Sequence, residues 1–116
     1  MIIWLCGKSG AGKSTLAGKL SRILNAPVID ADVHRNPKYG WSLEDRNKSC
    51  HDLAGQAARL EEKNPIVIVS AIAPYAGLRK GLYWINFIQV DHVGSKGRDD
   101  DAEFEHIDGL EFNITL

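Results

Sequence analysis

Apolar positions along the chain gather into five short runs, Ile2–Cys6, Val28–Ile29, Ile66–Ser70, Trp84–Val90 and Phe112–Leu116, separated by helix-patterned or polar stretches. Unbroken runs of β-branched, aliphatic and aromatic residues suit strands covered on both faces better than alternating, half-exposed ones. Trp4 and Trp84 lie within such runs and are expected in the core. Between the first three runs the period lengthens. In Ser14–Asn25 the apolar residues Leu16, Ala17, Leu20, Ile23 and Leu24 recur at helical spacing, and Asn25 followed by Pro27 supplies a stop.

A second helix is predicted from Ser42, where Ser42-Leu43-Glu44-Asp45 combines a capping hydroxyl with acids in the first turn. Leu43, Cys50, Leu53, Ala54, Ala57 and Leu60 form its apolar stripe, and Asn64-Pro65 ends it. Arg46 falls inside that stripe. Alternation of strands and helices predicts an α/β fold with a five-stranded parallel sheet flanked by helices. No repeat, linker or change of composition marks a boundary, so residues 1–116 are expected to form one domain.

Composition narrows the function classes. The 116 residues carry 14 Lys+Arg and 15 Asp+Glu, a net charge of −1, so no global field recruits long nucleic acid or an anionic membrane. The charge is uneven: residues 1–58 hold 8 basic and 5 acidic side chains, residues 59–116 hold 6 and 10. An anionic ligand is therefore expected at the N-terminal half. The two cysteines, Cys6 and Cys50, have neither CxxC nor zinc-ligand spacing and are expected as buried thiols. Ile2–Cys6 is too short for a signal-peptide core or a membrane span, which predicts a cytoplasmic protein.

One motif carries strong chemistry. Gly7-Lys8-Ser9-Gly10-Ala11-Gly12-Lys13-Ser14 matches the G-x-x-x-x-G-K-[ST] phosphate loop, with an apolar strand before it and an amphipathic helix starting inside it. Its glycines let successive N–H groups converge on phosphate oxygens, and the helix N-terminus adds positive potential at the same spot. Lys13 is expected to reach the β- and γ-phosphates and act in catalysis, while the Ser14 hydroxyl is the expected Mg²⁺ ligand. Gly7, Lys8, Ser9, Gly10, Ala11, Gly12, Lys13, Ser14 and Thr15 together form the expected ATP-binding segment. The loop identifies a nucleoside triphosphate but no particular reaction.

The second strand ends in Asp30-Ala31-Asp32, with Arg35 three residues on. Ligands of open α/β sheets sit beyond the carboxyl ends of the strands, so both aspartates are expected to face the phosphate loop. There a carboxylate can orient Mg²⁺ or take the proton of an acceptor hydroxyl; a pair of acids capping a turn is the alternative. A buried Arg46 requires a partner, either a substrate phosphate or sulfate or an internal carboxylate. The third strand ends in Ser70 where many ATPases and GTPases place a metal-holding Asp, and no Asn/Thr-Lys-x-Asp guanine-reading element occurs. Both features favour a small-molecule kinase over a GTPase switch.

Val28-Ile-Asp-Ala-Asp-Val-His-Arg35, Gly40-Trp-Ser-Leu-Glu-Asp-Arg46 and Ile68-Val-Ser-Ala-Ile-Ala-Pro-Tyr75 resemble, in order and spacing, motifs of the adenylylsulfate kinases, over about residues 1–91. The resemblance implies a nucleotide-kinase-like P-loop NTPase fold. It also implies ATP-dependent phosphorylation of adenylylsulfate to 3′-phosphoadenylylsulfate, a step of sulfate assimilation. Carried over by position, Asp32 is the acceptor-side base or metal orienter. Arg35 and Arg46 are implied to contact the adenylylsulfate, and Ser70 and Pro74 to line its pocket; Asp30 is also expected among the substrate-binding residues. The chain departs from the family pattern at Ala31, Ser49, Ala73 and Ala76. The stretch His92–Asp108, where the family has a longer basic and aromatic lid, is short and acidic here.

Two other readings remain open on the sequence: a P-loop kinase for a different hydroxyl acceptor (a nucleoside, a nucleotide or a modified base in nucleic acid), and a nucleotide-binding protein without kinase activity. A core this small is compatible with a homodimer. Asp99, Asp100, Asp101, Glu103 and Glu105 are expected as a solvated acidic stretch, and the four histidines lack ligand spacing. Trp41 and Tyr75 are divided between packing and stacking on a base.

Overall fold

Residues 1–7, 12–31, 42–71, 81–91 and 113–115 are described by the computed structural model. In chain order they form β1 (Ile2–Cys6), α1 (Lys13–Leu24), β2 (Val28–Asp30), α2 (Leu43–Glu61), β3 (Val67–Ser70), β4 (Asn86–Asp91) and β5 (Asn113–Thr115). The strands lie in the order β2-β3-β1-β4-β5, and every pairing is parallel. The fold class is thus α/β, with helices packed on a parallel sheet.

Order and handedness decide where the helices go. From β1 the chain steps outward past the position of β3 to β2, then returns to β3. Right-handed crossovers in opposite directions must lie on opposite faces of the sheet. The packing follows that rule. On one face Ile2, Trp4 and Cys6 of β1 meet Cys50, Leu53, Ala54 and Ala57 of α2. On the other, Ile3 and Leu5 meet Leu16, Ala17 and Leu20 of α1. Both faces are covered, which is why the strand sequences do not alternate.

Local chemistry holds the ends of the helices. Ser42 is the N-cap of α2, its hydroxyl accepting from the Asp45 N–H at 3.1 Å, with Glu44 and Asp45 in the first turn as expected. At the end of α1, Asn25 takes a left-handed conformation (φ 52°). The Ser21 hydroxyl donates to the Ala26 carbonyl at 2.7 Å, fixing the exit towards β2. In the core, Trp4 is fully buried, donates from Nε1 to the Ala71 carbonyl at 3.1 Å, and lies 5.4 Å from the Phe87 ring. A buried indole with its N–H satisfied combines a large apolar area with no polar cost.

Two expectations fail. β4 starts at Asn86, two residues later than the apolar run suggests, and Trp84 is 48% exposed, edge-on to Tyr83 at 5.5 Å. The Asn86 amide donates to the Ile2 carbonyl at 3.2 Å and marks the start of the strand. The apolar stripe of α1 is also covered only in part, since Ile23 in the last turn is 77% exposed. No helix among the described residues is long and apolar enough to cross a membrane.

The α2 cap makes a direct prediction. Ser42→Ala should destabilise the protein by about 1 kcal/mol, read as a lower urea midpoint at unchanged slope.

Candidate functional site

The carboxyl edge of the sheet carries the candidate site, and its backbone explains its position. Gly7 follows β1 with φ +146°, and a Cβ placed there would stand 2.4 Å from the Val90 carbonyl oxygen of β4. Only glycine allows so close an approach of the two backbones. Gly12 then takes a left-handed conformation (φ 93°) as N-cap of α1 and makes no side-chain cap. No acidic residue occupies the first turn of α1. The first N–H groups of a helix have no intrahelical partner and lie at the positive end of its dipole. Together these make an anion-binding position.

The side chains beside it are ordered towards the loop. Lys13 donates from Nζ to the Gly7 carbonyl at 2.9 Å, so its ammonium lies back across the span from residue 7 to the helix. Ser14 donates from Oγ to Asp30 Oδ2 at 2.6 Å. This contact joins the helix start to the end of β2. Thr15 is exposed beside it. A hydroxyl and a carboxylate in contact form a hard-oxygen donor set of the kind Mg²⁺ takes when phosphates complete its shell. The residues present therefore fit a Mg²⁺ ion at Ser14 and Asp30.

Other predicted residues occupy the same edge on other elements. Arg46 lies in the first turn of α2 and is 9% exposed, as its place in the apolar stripe predicts. Ser70 ends β3, is 2% exposed, and its hydroxyl has no hydrogen-bond partner among the described residues. Lys8, Ser9, Gly10, Ala11, Asp32, Arg35 and Pro74 lie outside the described residues, as do Trp41, Tyr75 and the stretch 92–108.

Two polar residues at this edge escape sequence reading. Gln89 is 1% exposed on β4, in register with Cys6 of β1. One amide within the apolar run Ile88–Val90 was the available signal. Asn47, beside Arg46, has a buried Oδ1 without a partner among the described residues. Its spacing from Cys50 and Ala54 on α2 was the only hint. Cys6 and Cys50 are buried thiols outside any disulfide, as expected, and the Cys6 thiol donates to the Ile88 carbonyl at 3.5 Å.

A profile of the adenylylsulphate kinase family matches residues 1–86. The chain is 39% identical over 87 residues to an adenylyl-sulfate kinase of Chloroflexus aurantiacus, an alignment covering 68% of this chain and 47% of that one. It is 38% identical over 86 residues to a probable adenylyl-sulfate kinase of Synechocystis, covering 67% and 49%. The chain thus spans about half the length of the curated relatives it matches. Among solved structures, the Mycobacterium tuberculosis APS kinase in complex with AMPPNP and APS superposes with a TM-score of 0.80. That likeness covers 98% of this chain and 87% of that one at 23% identity, and it shows the P-loop kinase fold.

The close backbone approach sets a stability prediction. Gly7→Ala must either strain φ or push β4 away, and should cost at least about 2 kcal/mol. A thermal melt checks it; a variant as stable as the parent would mean that the loop base has room to spare.

Proposed function

The chain belongs to the adenylylsulphate kinase family, and on that premise we propose that it transfers the γ-phosphoryl group of ATP to the ribose 3′-hydroxyl of adenylylsulfate. The contact between Ser14 and Asp30, with Lys13 folded over Gly7, carries this reading. It sets a cation ligand, a carboxylate and an ammonium at one helix N-terminus, parts that recur in phosphoryl-transfer sites.

In this reading the N–H groups of the loop and of the first turn of α1 hold the phosphates, and Lys13 neutralises charge that builds on the β- and γ-oxygens. Asp32 takes the proton of the attacking hydroxyl. The hydroxyl oxygen of the acceptor forms the new bond to the γ-phosphorus as the bond to the β,γ-bridging oxygen breaks, and ADP leaves. Mg²⁺, when bound at Ser14 and Asp30, supplies further charge neutralisation on the same phosphates. Arg35 and Arg46 hold the anionic acceptor, and Pro74 borders its pocket. Both substrates are small nucleotides, so the cytoplasm is the expected place of action, and a long nucleic acid is not required.

The test is ADP release with and without adenylylsulfate in Mg²⁺·ATP. Release should depend on adenylylsulfate, and Lys13→Ala should lower it at least about 100-fold while the melting temperature is kept. Equal release without acceptor, or parent-like turnover by Lys13→Ala, would refute the reading.

A further inference from the structure

A hydroxyl sealed inside a protein without a partner is costly, because the hydrogen bonds it made to water are not replaced. Ser70 is in that position. Its Oγ is inaccessible and unpartnered among the described residues, at the carboxyl end of the inner strand β3. A bound water or ion is one recognised partner for a polar group left over in this way. The sheet register shows where that partner would lie.

Successive residues of a strand point to opposite faces. On β3, Val67, Val69 and Ala71 pack with the α2-side cluster, and Ile68 packs on the α1 side. Ser70 therefore faces α1. Its register partner on β2 is Asp30, which follows Ile29 of the α2-side cluster and so also faces α1. Its partner on β1 is Leu5, buried on the α1 side. Asp30, Ser70 and Leu5 thus form one row across three strands, beneath the first turn of α1. Adjacent strands are about 4.8 Å apart. Asp30 is turned to Ser14 and makes no bond to the Ser70 hydroxyl, and a water between neighbours at this spacing can bridge them.

We infer that Ser70 is a positioning residue for the cation, holding through its hydroxyl a water of the Mg²⁺ shell alongside the Ser14–Asp30 pair. The inference rests on the kinase reading above and places Ser70 on the metal side of the site, rather than in the acceptor pocket that the family resemblance implies. It also accounts for a Ser at the end of β3, where many P-loop proteins have a metal-holding carboxylate. Here Asp30 supplies the carboxylate from the neighbouring strand, and an ionised group at position 70 would stand beside a like charge.

The test separates a role towards the metal from packing. In the full chain without metal, Ser70→Ala removes an unsatisfied hydroxyl and should melt at or above the parent temperature. In the presence of ADP, its Mn²⁺ affinity, followed by loss of the free-ion EPR signal, should fall about tenfold, as for other residues that orient metal ligands. ADP affinity without metal should not change, and Ser70→Thr, which keeps the hydroxyl, should bind Mn²⁺ close to the parent. Unchanged Mn²⁺ affinity in Ser70→Ala overturns the assignment, as does weaker adenylylsulfate binding with Mn²⁺ binding intact. A metal-free Ser70→Ala that melts well below the parent makes Ser70 a packing residue and also overturns it. If the parent binds no ADP·Mn²⁺ at all, the kinase reading itself fails, a result distinct from these.

Discussion

The backbone of Gly7 runs against the Val90 carbonyl, and the geometry of the site depends on that contact. Because nothing projects from position 7, the chain can leave β1 flush with β4 instead of arching over it. The Gly7 carbonyl is then within reach of Lys13, and the helix begins low enough for Ser14 to meet Asp30. A side chain at this position would lift the start of the loop, separate the ammonium from its acceptor and draw the hydroxyl away from the carboxylate. Side chains do the chemistry of phosphoryl transfer, but here a missing side chain sets their positions.

Much of this architecture was legible in the sequence because it is local. Ser42 with its acids announced the start of α2, Asn25 the end of α1, and the phosphate loop announced itself by spacing and context. What failed depended on coverage by distant elements. Trp84 has the composition of a strand residue, yet the strand starts at Asn86, and nothing in a single sequence says how far the neighbouring elements reach. Ile23 shows the same for a helix, since periodicity identifies the inner face of α1 but not the turn at which the sheet stops covering it. Asp30 and Asp32 were equally good candidates near the loop. The contact of Asp30 with Ser14 joins the end of β2 to the start of α1, a proximity that no spacing along the chain states.

The polar residues inside the protein concentrate at one edge. Ser70, Gln89 and Arg46 are the buried polar or charged side chains among the described residues. Ser70 and Gln89 lie at or near the carboxyl ends of their strands, and Arg46 opens α2. The opposite ends of the strands are filled by Ile2, Val67 and Phe87, all buried. A core built for stability alone would continue those apolar residues to the top of the sheet. Functional sites often carry such locally unfavourable groups, offset by packing elsewhere.

Because the two crossovers run in opposite directions, the sheet itself becomes a partition. The start of α1 and the Ser14–Asp30 pair belong to one side, while α2 with Arg46 belongs to the other. Substitutions that reshape the α2 side reach the α1 side only through a stiff, doubly covered layer. In the proposed reading, the part that handles the phosphoryl donor and the part that selects the acceptor can therefore drift at different rates. A lineage could exchange one hydroxyl-bearing substrate for another by rewriting one helix and its loops, and inherit the donor machinery unaltered.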